Sequence, residues 1–199
     1  MGTPVRIENA VICYPHLWTP HAPPGTERTT YSAEFILDPV ANKPTLDALF
    51  AAFKQAATEA GKGALLAQLK SPIRPGAQIN AERMSKGKEA RPELEGKYVV
   101  RGSDPTTAPV VVDQQRRPIG AEQQGNLFGG CIVNAFVDLY WSSNAQNPGV
   151  FVGLKGVQLV SNVNVTRIGG GSLDADAMFD VVGGEIPFGN TSDALPDWA

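Results

Sequence analysis

A chain of 199 residues with 42% hydrophobic and 19% charged residues can bury one good core, which excludes a disordered or fibrous protein. Two cysteines exclude a disulfide scaffold, and no uninterrupted apolar run is long enough for a membrane helix. The net charge of −3 hides an asymmetry: residues 170–199 carry six acids and no base, whereas residues 62–117 carry 11 basic groups against six acidic ones. A basic body with an acidic end suits a polyanion-binding surface with a competitor attached, and equally a chain with ordinary charge scatter. The N-terminus lacks the apolar core of a signal peptide, so a cytoplasmic protein is expected, with Cys13 and Cys131 as buried free thiols.

Taken in order, residues 5–14 read as a strand bulged near Asn9 and Ala10, because Val5 and Ile7 are out of phase with Ala10, Ile12 and Tyr14. Residues 15–25 contain four prolines and read as a surface loop. Cys13, His16 and His21 have a loosely metal-like spacing, but they lack a regular pair and a fourth ligand, and no metal is expected. Residues 30–38 alternate as a strand, with Tyr31, Ala33, Phe35 and Leu37 inward and Ser32 and Glu34 outward. Residues 42–60 form the best helix, since Leu46, Leu49, Phe50, Phe53 and Ala57 recur at intervals of three and four, with Pro44 in the first turn and Gly61 at the end. A shorter helical piece follows at 64–69.

Residues 73–94 are polar and charged, and read as an exposed excursion hanging Arg74, Arg83, Lys86, Lys88 and Arg91 over a groove. Strand character resumes at 97–103, with Tyr98 and Val100 facing one way and Lys97, Val99 and Arg101 the other. A short strand at 109–113 leads into a turn carrying Arg116 and Arg117. Residues 127–160 read as a long hairpin. Cys131, Val133, Ala135, Val137, Leu139 and Trp141 form one apolar row, and Ile132, Asn134, Phe136, Asp138 and Tyr140 a mixed one. Such a face suits nucleotide stacking, but from pattern alone it better suits a sheet covered by a helix or a partner. About six short strands and one long helix fit a small barrel or sandwich with a helical insertion, in a mainly β fold.

Catalytic signatures are missing: there is no phosphate-binding loop, dinucleotide fingerprint, zinc-protease helix or serine elbow. Asp174, Asp176 and Asp180 lack the closing glutamate of a calcium loop. With two histidines, acid–base chemistry has little to work with, so neither an enzyme nor a cofactor is expected. Single-stranded nucleic acid is held by cations on phosphates and aromatics on bases. The candidates are Phe136, Tyr140, Phe151 and Lys155 on the hairpin, and Tyr98 or the pair Lys97 and Arg101 from the neighbouring strand. Arg83, Lys86, Lys88, Arg91, Arg116 and Arg117 join them as phosphate contacts. Each aromatic could instead be core.

The runs TYSAEFILDP, ELEGKYVVRGSD, PVVVDQQRRPI and, above all, FGGCIVNAFVDLYWSSNAQNPGVFVGLKGVQLV followed by GGGSLDADAMFDVV resemble phage-encoded single-stranded DNA-binding proteins with an OB-fold. The resemblance spans about residues 5–182. It implies an OB-fold-like open Greek-key barrel with one inserted α-helix, spanning 1–182. This domain would coat single strands without sequence preference during phage DNA replication or recombination. It also implies a flexible acidic C-terminal tail, 183–199, that competes with DNA and contacts phage or host replication proteins through Asp193, Asp197 and Trp198. This tail is sparser in acids than the family type. The oligomeric state stays open, a dimer among the options. The rival expectation is a virion structural or assembly protein using the same barrel to meet protein.

Overall fold

Where apolar side chains change phase along a strand of this chain, the register slips and a bulge forms. The computed structural model describes residues 2–22, 26–144 and 147–169. Its elements run β1 (Thr3–His21), β2 (Thr30–Leu37), α1 (Lys43–Glu59), β3 (Ile73–Pro75), α2 (Gly76–Met84), β4 (Tyr98–Asp104), β5 (Val110–Val112), β6 (Ile132–Ser142) and β7 (Gly149–Ser161). On β1 the buried set switches from Val5 and Ile7 to Ala10 and Ile12. The register against β6 slips at that point, and Asn9 takes up the extra residue at φ 50°. Asparagine tolerates this left-handed backbone better than most residues, and the Asn9 amide donates to Asn134 Oδ1 at 3.0 Å. On β7 the buried set switches from Val150, Val152 and Leu154 to Val157 and Leu159. There Val137 pairs with Leu154 and Phe136 with Gly156, leaving Lys155 as the extra residue.

The strands join in the order β4, β2, β1, β6, β7, and one parallel bridge between Ser103 and Gly153 returns β7 to β4. The five-stranded Greek-key ring is therefore an OB-fold barrel closed at a single point. β3 extends the sheet beyond β4, and β5 lies parallel to β7. Inside, Ile7, Phe35, Val100 and Leu139 are buried completely, each stabilising the fold by about 1.5–3 kcal/mol. The helix α1 adds Leu46, Leu49, Phe53 and Ala57 to that core and packs on β1 and β6. Asn42 ties its start to the strands: its side chain donates to the Glu8 carbonyl at 2.8 Å and accepts from the Asp38 amide at 2.8 Å. Gly61, at φ 69°, follows its end.

The excursion expected as one exposed loop over residues 73–94 contains β3, a second helix α2 and a 3-10 turn at Pro92–Leu94, so the barrel carries two inserted helices rather than one. Periodicity could not reveal α2, because Ile79 is its main apolar contact with the body. Polar bonds hold it instead. The Gly76 amide donates to the Lys97 carbonyl at 2.8 Å, and Asn80 exchanges two 2.9 Å hydrogen bonds with the Arg91 backbone. This excursion covers a second apolar cluster of Cys13, Ile36, Val99 and Leu94 on the outer face of β1, β2 and β4. The loop expected over 15–25 is likewise strand as far as His21, because β1 continues past a second register slip between Cys13 and His16. Both cysteines are buried free thiols, and burial pushes Cys13 up to about 12. Among the described residues no helix is long and apolar enough to cross a membrane.

Candidate nucleic-acid interface

The outward side chains of β2, β4 and β7 line a groove assembled from segments far apart in sequence. Alternation on β4 sends Val100 inward and Val99, Arg101 and Ser103 outward. One cavity of about 420 Å³ is bounded by Lys70, Arg74, Arg101, Asn147 and Phe151. A second, of about 200 Å³, is bounded by Tyr14, His16, His21 and Ser32. Glu34 and Arg101 line both, so the two cavities abut over this pair. Ser32, expected outward, does face that way but is 3% exposed at the floor of the smaller cavity.

Arg101 stands directly opposite Glu34 in the β2–β4 register, where opposite charges ordinarily pair. Glu34 is held elsewhere. Arg91 Nη1 donates to its Oε2 at 2.8 Å, while Arg91 Nε donates to Glu93 Oε1 at 2.7 Å. The Arg91 guanidinium also lies 4.9 Å over the Tyr14 ring. Burial disfavours the charge on Arg91, but its hydrogen bonds to Glu34 and Glu93 outweigh that and keep it protonated. Arg101 is left exposed, and among the described residues its side-chain hydrogen bonding is a 3.5 Å contact from Nη2 to Ser32 Oγ. Among the described residues neither Arg101 nor Lys70 has an ion-pair partner, whereas Arg74 pairs with Glu82.

Aromatic rings border these cations. Phe151 lines the larger cavity, and Tyr140 stacks on it across the β6–β7 pair with centroids 6.3 Å apart. Tyr14, 43% exposed and at φ 47°, lines the smaller cavity. His16 and His21 stack there at 4.3 Å. Burial, and then the charges of His21 and Arg101, lower the pKa of His16 and so favour its neutral imidazole. Free cations beside exposed rings can hold phosphates while bases stack.

Residues 3–186 match the family described as Enterobacter phage Enc34, ssDNA-binding protein. The chain belongs to this family. Among solved structures, the Enc34 single-stranded DNA-binding protein in complex with ssDNA shares 18% identity at a TM-score of 0.69, with 83% of this chain and 89% of that one covered. A second structure of the Enc34 single-stranded DNA-binding protein shares 19% identity at a TM-score of 0.67, with 89% of this chain and 90% of that one covered. The gp2.5 single-stranded DNA-binding protein of bacteriophage T7 shares 15% identity at 0.54, covering 93% of this chain and 99% of that one. At these identities the likeness is one of fold. No curated protein sequence matches the chain.

Of the residues singled out in this Enc34-family sequence, the groove brings together Arg101 and Phe151, with Tyr140 stacked on Phe151 and Arg91 buried beside Glu34. Phe136 is 50% exposed beside Val110 at a separate hollow that shares no lining residue with the groove. Tyr98 packs edge-on against Phe50 at 6.1 Å. Lys97 pairs with Asp38, whose carboxyl is held down at about 2 by that bond and by the amides of Ala41 and Val40. Lys155 lies 3.4 Å from Asp104 and 3.8 Å from Asp138. Arg83 donates to the Glu89 carbonyl at the end of α2, and Lys86 and Lys88 are exposed beyond it. Arg116 is exposed in its turn, and Arg117 pairs with Asp113 at 2.7 Å. Asp193, Asp197 and Trp198 lie outside the described residues.

Sequence reasoning missed Tyr14, His16, His21, Ser32 and Lys70. In the sequence the histidines stand out by their spacing to Cys13 and as scarce acid–base groups, neither of which points to a groove, and among the described residues no three His, Cys, Asp or Glu side chains stand together as a metal site. The usable signal was an aromatic and two imidazoles following a strand. The proline-rich stretch concealed that the strand continues through them.

Proposed function

We propose that this protein coats and protects single-stranded DNA during phage DNA replication or recombination, holding the strand in the groove across β2, β4 and β7. The observation that carries the assignment to this groove is the unpaired Arg101, set between Phe151 on one side and Tyr14 with the histidine pair on the other. Phosphates run along Lys70 and Arg101, and bases stack on Phe151 and Tyr14. Stacking accepts every base, so binding has little sequence preference. Ultraviolet crosslinking to oligo-dT followed by peptide mapping tests the location. Adducts are expected in peptides holding Tyr14 to His21 or Phe151, and adducts confined to the Phe136 strand would overturn it.

Residues 1–182 act as the binding domain and residues 183–199 as an acidic tail that competes weakly for the groove. Supporting this, a Cβ on Gly169 would come 2.8 Å from Tyr14 Cε1, so the chain leaves the described body at the groove's edge. The tail's Glu185, Asp193 and Asp197 have no compensating base, and Trp198 serves as an anchor for a replication partner. Deleting residues 190–199 should tighten DNA binding a few-fold at low salt and hardly at all at high salt. An unchanged low-salt affinity would contradict the tail's role.

A further inference from the structure

Cross-strand neighbours of opposite charge have Cβ atoms about 4.5–5.5 Å apart and pair readily. Glu34 and Arg101 are such neighbours, so the groove's central cation stands beside its own neutraliser. What prevents the pair is Arg91, whose side chain is 9% exposed and whose bonds of 2.8 and 2.7 Å engage Glu34 and Glu93. Arg91 is itself fixed by the two hydrogen bonds its backbone exchanges with Asn80 on α2 and by the 3-10 turn that follows it. Its contact with Tyr14 keeps that ring beside the smaller cavity. The α2 excursion thus delivers one buried arginine to the back of an acid whose front faces the groove.

We propose that Arg91 is a positioning residue for DNA binding, which does not touch the strand but diverts Glu34 and so leaves Arg101 free for a phosphate. This rests on the reading of the groove as the single-stranded DNA site. Remove Arg91, and Glu34 turns to its cross-strand neighbour and cancels it. The groove then loses the equivalent of one phosphate contact although no contacting residue has changed. A merely structural ion pair would behave differently: its loss would lower stability, and removing Glu34 as well would relieve the stranded charge, but the salt slope of DNA binding would not change.

The test is a titration of the full-length protein against fluorescent oligo-dT at about 50 and 200 mM salt, for wild type, Arg91→Met, Glu34→Gln and the double variant, each checked by far-UV circular dichroism. Arg91→Met should weaken binding by roughly five- to tenfold at the lower salt and reduce the salt slope by about 0.7, the single-strand value for one phosphate. The double variant should return to within about twofold of Glu34→Gln. Should Arg91→Met fail to fold, Arg91→Lys keeps the charge but cannot hold both carboxylates, and its smaller loss should likewise be restored by Glu34→Gln. Wild-type affinity in Arg91→Met, or a double variant as weak as the single, would overturn the proposal. Absence of binding by the wild type would instead remove the DNA reading itself.

Discussion

Gly153 and Asp138 share one small volume at the barrel seam: a Cβ on Gly153 would lie 2.0 Å from Asp138 Oδ1. That oxygen is buried without a hydrogen-bond partner, its nearest cation being Lys155 Nζ at 3.8 Å. Gly153 is also the residue that meets Ser103 to close the ring. A missing side chain therefore lets the carboxylate tuck in beside the single β4–β7 bridge.

Gly153→Ala should accordingly destabilise the fold by about 1–3 kcal/mol, as overpacking does, read as a lower urea midpoint. Adding Asp138→Ala removes the obstructing oxygen and should recover part of the loss. A Gly153→Ala protein as stable as wild type would show that the seam tolerates a side chain.

Phe151→Ala should cost about 1–3 kcal/mol of single-stranded DNA affinity while leaving far-UV dichroism intact. Tyr140→Ala should cost less, because Tyr140 stacks on Phe151 but does not line the cavity. Phe136→Ala should leave affinity unchanged, since Phe136 borders a different hollow. A loss at Phe136 equal to that at Phe151 would extend the strand's path onto the β5–β6 face.

Much of this fold was legible because apolar phase is a strong signal. The hairpin's core row, the bulge at Asn9 and the stripe of α1 all follow from it. The site was legible only in part. Arg101 and Phe151 fall on outward positions that alternation predicts. Arg91 looks identical to them in sequence yet is buried by two carboxylates, one of them 57 residues away. Lys97 and Lys155 are similarly engaged by acids from distant segments, Asp38 just after β2 and Asp104 on β4. Charge counts along a sequence cannot separate a free cation from a paired one, because the pairing is tertiary. The second helix escaped for a related reason: its attachments are polar bonds to distant backbone, which leave no periodic trace.

Arg101→Ala should weaken binding to every sequence alike and lower the salt slope by about 0.7, the single-strand value for one phosphate. Neutralising Lys97 or Arg117, which already have acid partners, should change the slope less. Equal effects at all three positions would point to a diffuse cationic surface rather than a groove.

Binding should tighten as pH falls from about 7.5 to 5.5. His16 has its pKa lowered in the free protein by burial, and then by His21 and Arg101, so protonation there favours unfolding. Stability from this group is present above the ordinary histidine value and is lost as pH falls through the lowered one. A phosphate in the groove reverses the preference by pairing with the imidazolium. Tyr14, Glu34 and Arg101 also border the pair, and the chain has no other histidine. Replacing both His16 and His21 with Gln should flatten the pH dependence of affinity, whereas an unchanged profile would exclude them from the site.

The most direct test of the account is a titration of the protein with labelled oligo-dT and with a duplex of equal length, at about 50 and 200 mM salt. The account predicts firm binding of the single strand at the lower salt, weaker binding of the duplex, and a loss of roughly tenfold or more on raising the salt. No binding of oligo-dT at the lower salt, or equal affinity for single strand and duplex, would contradict it.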